Sequence, residues 1–216
     1  MNILHIDCSP RPESHSRRLS SAIVDKLLEM LPGAHVSRRD LGFEPIPHAG
    51  AAYANALATP ASLAAAGRSG DAILLAEQLI SEVECSDVVV IGTPMNNFTV
   101  PSVLKAWIDQ ILRVGRTMKS TPTGKIGMLR DRPVFVGIAS GGVFLGDGAN
   151  QHDFLTPYLS AALGCIGLNT VQYLPLQATA FIDDAREAEL RRSLVAMIEP
   201  TMARFVRSPV DENEYQ

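Results

Sequence analysis

Residues 86–93 read SDVVVIGT, and the four consecutive β-branched residues from Val88 to Ile91 constrain the fold more than any other stretch of the chain. A strand with one face in water alternates apolar and polar side chains. An unbroken apolar run needs both faces covered, as in a parallel sheet with helices packed on each side. PVFVGIAS at 133–140 repeats the pattern, and Ile3, Leu4 and Ile6 make a shorter run near the start.

Between these strands the period changes to that of a helix. Leu19, Ile23, Leu27, Met30 and Leu31 predict a first helix that stops at Pro32-Gly33. From Ala72 the stripe Leu75, Leu79 and Val83 predicts another. Pro101 opens a third, whose inward positions are Leu104, Ile108, Ile111 and Leu112, with its end near Gly115. AHVSRRDL at 34–41 reads as an edge strand. The segment 42–70, rich in proline and alanine, shows no sustained period and predicts an excursion with a short helix or two, and RTMKSTPTGKIGMLRDR at 116–132 predicts a hairpin flap. A helix at 154–166, a strand at 171–176 and one long helix at about 184–206 complete the count.

Strands alternating with helices predict an α/β fold of three layers around a parallel sheet. Right-handed crossovers leave few topologies, and five strands in the order 2-1-3-4-5, the flavodoxin-like arrangement, suit 216 residues. The expected organisation is a single domain over 1–207, with 208–216 a disordered acidic tail. In such a sheet a ligand lies outside the carboxyl ends of the strands, where the loops 8–16, 93–99 and 140–148 converge.

Bulk properties narrow the partner. A formal net charge of −4 disfavours a protein that neutralises many phosphates, so no nucleic acid is expected. No apolar run approaches a membrane span, so no membrane partner is expected either. Cys8, Cys85 and Cys165 are odd in number and lack C-x-x-C spacing, which predicts reduced thiols in a cytoplasmic protein and no metal site. A small-molecule ligand fits these limits.

The first loop offers Ser9, Ser14 and Ser16 ahead of a helix N-terminus that attracts anions, with Arg11, Arg17 and Arg18 adding positive charge; a phosphate suits it, although Ser14 or Ser16 would equally serve as an N-cap. Neither G-x-x-x-x-G-K-[ST] nor G-x-G-x-x-G follows the first strand. A low-mass tyrosine phosphatase would need arginine six residues after Cys8, where Ser14 stands, so Cys8 reads as a packing residue. In the second loop, Pro94-Met95-Asn96-Asn97-Phe98 combines amides that donate and accept with side chains suited to a flat ring, the alternative being a simple turn. In the third, Ser140-Gly141-Gly142 suits a close backbone approach, or again a turn.

SPRPESHSRRLS, GTPMNNFTVPSVLKAWIDQILRVGRT, SGGVF and FLTPYLSAALGCIGL resemble the AcpD-type FMN-dependent NADH-azoreductases, also called FMN-dependent NADH:quinone oxidoreductases. The resemblance runs from the first strand to about Val171, and more loosely to the last helix. It implies a flavodoxin-like fold, bound FMN, NADH or NADPH as donor, a quinone or azo acceptor, ping-pong turnover, and a homodimer with its site at the subunit interface. Carried onto matching positions, Ser9, Ser14, His15 and Ser16 hold the FMN phosphate. Pro94, Met95, Asn96, Asn97 and Phe98 line the ring, and Ser140, Gly141 and Gly142 approach its pyrimidine side. Phe144, Phe154 and Met118 are candidates for a substrate pocket. No side chain is assigned as catalytic, because the flavin carries the hydride; a backbone N–H near Asn97 is expected to stabilise the reduced ring. Asn96, Met118 and the Ala139-Ser140 pair depart from the residues common in that family and bear on substrate range. Two other functions share the fold: an FMN electron-transfer module without organic substrate turnover, and a non-flavin phosphoesterase.

Overall fold

A computed structural model describes residues 1–58 and 70–207. The elements follow in the order β1 (Asn2–Asp7), α1 (His15–Met30), β2 (His35–Asp40), α2 (Ala51–Ala58), α3 (Gly70–Glu84), β3 (Val88–Pro94), α4 (Ser102–Ile111), β4 (Met118–Thr121), β5 (Gly124–Gly127), β6 (Val134–Ala139), α5 (Thr156–Cys165), β7 (Val171–Leu176), α6 (Asp184–Ala196) and α7 (Glu199–Arg207). Five strands form one parallel sheet in the order β2-β1-β3-β6-β7, which is the expected 2-1-3-4-5 once the separate β4-β5 hairpin is set aside. The tail at 208–216 lies outside the described residues, as does 59–69 of the predicted excursion.

The apolar runs sit where their composition requires. Val88 to Ile91 and Val134 to Val136 are buried in the two central strands, paired in register from Val89 with Val134 to Pro94 with Ala139. One apolar layer joins α3, α4 and α5 to the sheet through Leu79, Leu104, Trp107 and Leu159, and the other joins α1 and α7 to it through Leu19, Ile23, Ile198 and Met202. The edge strand β2 is mostly exposed or half-buried, as its mixed sequence predicts.

Two boundaries differ from the periodicity. The long helix expected at 184–206 is two helices, α6 and α7, separated at Met197 and Ile198. Pro200 explains the break: it has no N–H to donate, and its ring would strike the carbonyl of Ala196 in a continuous helix. Helix α4 ends at Ile111 rather than near Gly115, because the Arg113 and Thr117 backbone and side chain close a turn there: Arg113 N–H donates to Thr117 Oγ1 at 2.9 Å, and Thr117 Oγ1 donates to the Ile111 carbonyl at 2.6 Å. That turn launches the β4-β5 hairpin, which docks through Leu129 N–H on the Ile166 carbonyl at 3.0 Å.

Candidate functional site

At the carboxyl ends of β1, β3 and β6 the loops enclose a cleft of about 600 Å³, within the range of small-molecule and cofactor sites. Its wall includes Ser9, Arg11, Ser14, His15 and Ser16 from the first loop, Pro94, Met95 and Asn96 from the second, Ala139 and Gly141 from the third, and Thr179 and Ala180 from the segment after β7.

The first loop is built as a helix cap with donors to spare. Ser14 is the N-cap of α1, its hydroxyl accepting from Arg17 N–H, while Ser14 Oγ and Ser16 Oγ stand 3.4 Å apart. Among the described residues the N–H groups of His15 and Ser16 have no acceptor, as the first turn of a helix leaves them. Ser9, Ser14 and Ser16 are all buried. Capping and anion binding are therefore not alternatives here: one serine caps, and two N–H groups remain.

Arginine placement departs from expectation. Arg17 is turned under the loop, where it donates to the Ser9 carbonyl from Nε at 2.9 Å and Nη2 at 2.7 Å and to Asp40 at 2.8 and 2.5 Å. Its cation is spent on holding the loop's backbone. Asp40 holds the guanidinium tightly protonated, and in return Arg17 keeps the Asp40 carboxyl below its ordinary range. Arg18 lies against His15 and Glu187. Of the three arginines only Arg11 lines the cleft.

Beneath the loop, Asp7 is fully buried and accepts from Ser20 at 2.8 Å and Arg38 at 2.7 Å. Burial pushes its carboxyl up, but the neighbouring His5, Ser20 and Arg38 outweigh that and leave it below the ordinary value. Cys8 is also buried, and burial together with the Asp7 charge pushes its thiol far up. A thiol held protonated in this way is no nucleophile, which removes phosphatase chemistry from this position.

The second loop turns sharply. Asn96 N–H bonds the Thr99 carbonyl and Thr99 N–H the Asn96 carbonyl, each at 3.0 Å, and the two residues between have φ of 48° at Asn97 and 71° at Phe98. Positive φ at both central positions is the pattern of a type I′ turn, which favours Asn and Gly; a phenylalanine there is strained. Strain of this kind concentrates at binding sites. Asn97 and Phe98 are exposed at the outer end of the turn rather than on the cleft wall, and among the described residues neither N–H has an acceptor.

In the third loop the two glycines have different reasons. A Cβ on Gly142 would come within 3.0 Å of Gln151 Oε1 and 3.1 Å of Asn150 Oδ1, so a larger residue there would have to push both amide side chains aside. At Gly141 a Cβ would meet only Ala180 Cβ, at an ordinary 3.6 Å. Gly141 lines the cleft, where the lack of a side chain leaves its backbone open. Ser140 is buried away from the cleft: it accepts from Gln151 Nε2 at 2.6 Å, and Gln151 Nε2 also reaches Met95 Sδ at 3.3 Å. Ser140 therefore braces Met95.

The three aromatic and thioether candidates separate widely. Phe144 is buried in the core. Met118 is buried in the hairpin, 3.3 Å from Cys165 Sγ. Phe154 is exposed, and its N–H donates to the Phe98 carbonyl at 3.0 Å, so it belongs with the second-loop turn. The segment after β7 was not foreseen. Thr179 N–H and Oγ1 both donate to the Ser140 carbonyl, at 3.0 and 3.1 Å, and Ala178 sits at φ 58°. The only available signal was its place after the carboxyl end of the fifth strand.

Comparisons with known proteins agree with this fold. A family profile described as the flavodoxin-like fold matches residues 1–199. A Pseudomonas fluorescens protein named FMN-dependent NADH:quinone oxidoreductase 4 is 44% identical over 199 residues, covering 91% of this chain and 93% of that one. A Burkholderia lata protein named FMN-dependent NADH:quinone oxidoreductase 5 is 45% identical over 188 residues, covering 87% and 90%. Among solved structures, an azoreductase from Bacillus anthracis superposes with a TM-score of 0.79 at 23% identity over 94% of this chain and 99% of that one. An FMN-dependent NADH-azoreductase from the same species, in complex with FMN, gives 0.75 at 22% identity, covering 94% and 98%. At such identities the two structures establish a shared fold.

Proposed function

Because the chain belongs to the flavodoxin-like FMN-dependent NADH:quinone oxidoreductase family, we propose that it is an FMN-dependent NAD(P)H oxidoreductase reducing quinones and azo compounds. The observation that carries this reading is the cleft itself. One end offers unpaired helix N–H groups and buried serines, and the other offers a methionine, an amide side chain and an uncrowded glycine. An anion joined to a flat heterocycle matches both ends, and the donor set fits FMN.

His15 and Ser16 N–H, with the hydroxyls of Ser9, Ser14 and Ser16, hold the phosphate, favoured by the positive end of α1. Met95, held in place by Gln151 and Ser140, would supply the apolar contact for the ring. Asn96 would border its polar edge, and Gly141 would allow backbone to approach. When bound, FMN supplies two-electron chemistry, taking hydride from reduced nicotinamide and delivering it in a second half-reaction to a quinone or azo acceptor. The chain's contribution is fixed donors facing an electron-rich ring, which lower the energy of negative charge without reorganising. Phe98 and Phe154, adjacent and exposed, offer an apolar surface for the acceptor.

The same reading makes the working unit a homodimer, supported by the large apolar side chains that Phe98, Leu145, Phe154 and Phe181 leave exposed on the loops around the cleft, and places it in the cytoplasm, in keeping with three cysteines that lack C-x-x-C spacing. Sedimentation showing a monomer at micromolar concentration would remove that part. For the activity, the test is the visible spectrum after FMN addition and desalting, followed by anaerobic NADH and then benzoquinone. Retained flavin bands that bleach and return are expected; a colourless protein refutes the reading.

A further inference from the structure

His15 is the first residue of α1 and lines the cleft, and its Nδ1 stands against a charge cluster of Arg18 and Glu187. Arg18 Nη2 stands 2.8 Å from His15 Nδ1. An arginine has only donors, so Nδ1 must accept, and a ring that accepts at Nδ1 carries its proton on Nε2. Among the described residues Nε2 has no partner.

Behind Arg18 lies Glu187 of α6. Its side chain is only 4% exposed, and it faces three basic groups: Arg18 at 3.9 Å, Arg191 at 3.6 Å and His15 Nδ1 at 3.8 Å. A carboxylate this deep is retained only beside cations. Its Oε1 accepts no hydrogen bond, and Arg18 Nε is likewise buried without an acceptor. The pair is thus held by charge rather than by a hydrogen-bonded fork, and the contact made at good distance is the one from Arg18 to His15.

We infer that Glu187 and Arg18 are positioning residues that fix His15 in the Nε2–H tautomer, making its side chain a donor to the ligand's phosphate in addition to the two backbone N–H groups. This rests on the flavin reading of the cleft. It also assigns Arg18 a part in phosphate binding that its side chain does not play directly. A neutral donor suits this place, because a second cation would face the Arg18 guanidinium at 2.8 Å.

The test compares FMN with riboflavin, which lacks the phosphate, by flavin fluorescence titration of FMN-stripped protein. His15→Met is expected to raise the FMN dissociation constant roughly tenfold, the loss of one hydrogen bond to a charged group, with riboflavin unchanged. His15→Gln, whose amide N–H reaches towards the Nε2 position, should recover part of that preference. Glu187→Gln and Arg18→Met should raise the FMN constant about two- to fivefold as the ring samples the other tautomer. In nitrogen-15 spectra of the apoprotein the His15 signals should show the Nε2–H tautomer, moving to a mixture in Arg18→Met. Parallel loss of FMN and riboflavin binding in these variants would show a structural role and overturn the inference. So would an unchanged FMN constant in His15→Met, or an imidazolium pattern with Nδ1 protonated towards Glu187. If the unaltered protein bound neither flavin, the proposed function would fall first, and this inference with it.

Discussion

Arg17→Met removes the side chain under the first loop and separates a structural role from a phosphate-binding one. Breaking a buried ion pair from one side costs about 3–5 kcal/mol, since the remaining charge is left uncompensated. Here Arg38 still reaches Asp7 at 2.7 Å and Asp40 at 3.6 Å, which places the electrostatic loss at or below the lower end of that range. The Ser9 carbonyl, however, loses both guanidinium donors. A buried carbonyl without a partner costs roughly 1–3 kcal/mol. Together these give a loss of roughly 3–6 kcal/mol, or a fall in Tm of about 6–24 °C for a chain of this size. Urea unfolding followed by circular dichroism measures it, and Arg17→Met combined with Asp40→Leu should lose less than the sum of the single changes. A loss under about 1 kcal/mol, with FMN affinity reduced and riboflavin affinity unchanged, would refute the assignment and return Arg17 to the phosphate.

Gly92→Ala would place a Cβ 2.5 Å from Ser20 Oγ and 2.9 Å from Asp7 Oδ1; overpacking of this kind costs about 1–3 kcal/mol in thermal unfolding, and Ser20→Gly should restore part of it. Cys85 is exposed and Cys8 buried with its thiol pushed up, so iodoacetamide on the native protein followed by peptide mass mapping should label Cys85 and spare Cys8. Asp7, Asp40, Glu77 and Glu84 are all held below their ordinary values of 3.8 and 4.5. Their stabilisation is therefore fully present above those values and is lost as pH falls through the lower folded ones. Unfolding free energy measured by urea titration should be insensitive to these groups near neutrality and decline below about pH 4, less steeply in Asp40→Asn.

Much of the fold was legible because the strongest signals were local. Valine runs at 88–91 and 134–136 dictate burial on both faces, and burial on both faces dictates a parallel sheet with crossovers. The break between α6 and α7 was missed: Pro200 stood in the sequence, but apolar spacing that continues on both sides of it concealed the stop. At the site, the loops at 9–16 and 94–96 line the cleft as their position after strands requires. Phe144 and Met118 do not, because an isolated apolar residue in a loop reads the same whether it faces a ligand or the core.

What the sequence determined by itself is the sheet, its order and the place where its loops converge, since these follow from side-chain period and from the handedness of the connections. What only the tertiary structure decided is how each polar group is used. Arg17 and Asp40 are 23 residues apart, Gly142 is packed against Gln151, and Ser140 is tied to Thr179 across the fifth strand's loop. A polar side chain's role depends on which partner stands within about 3 Å, and nothing in local composition reports what the folded chain brings to that distance.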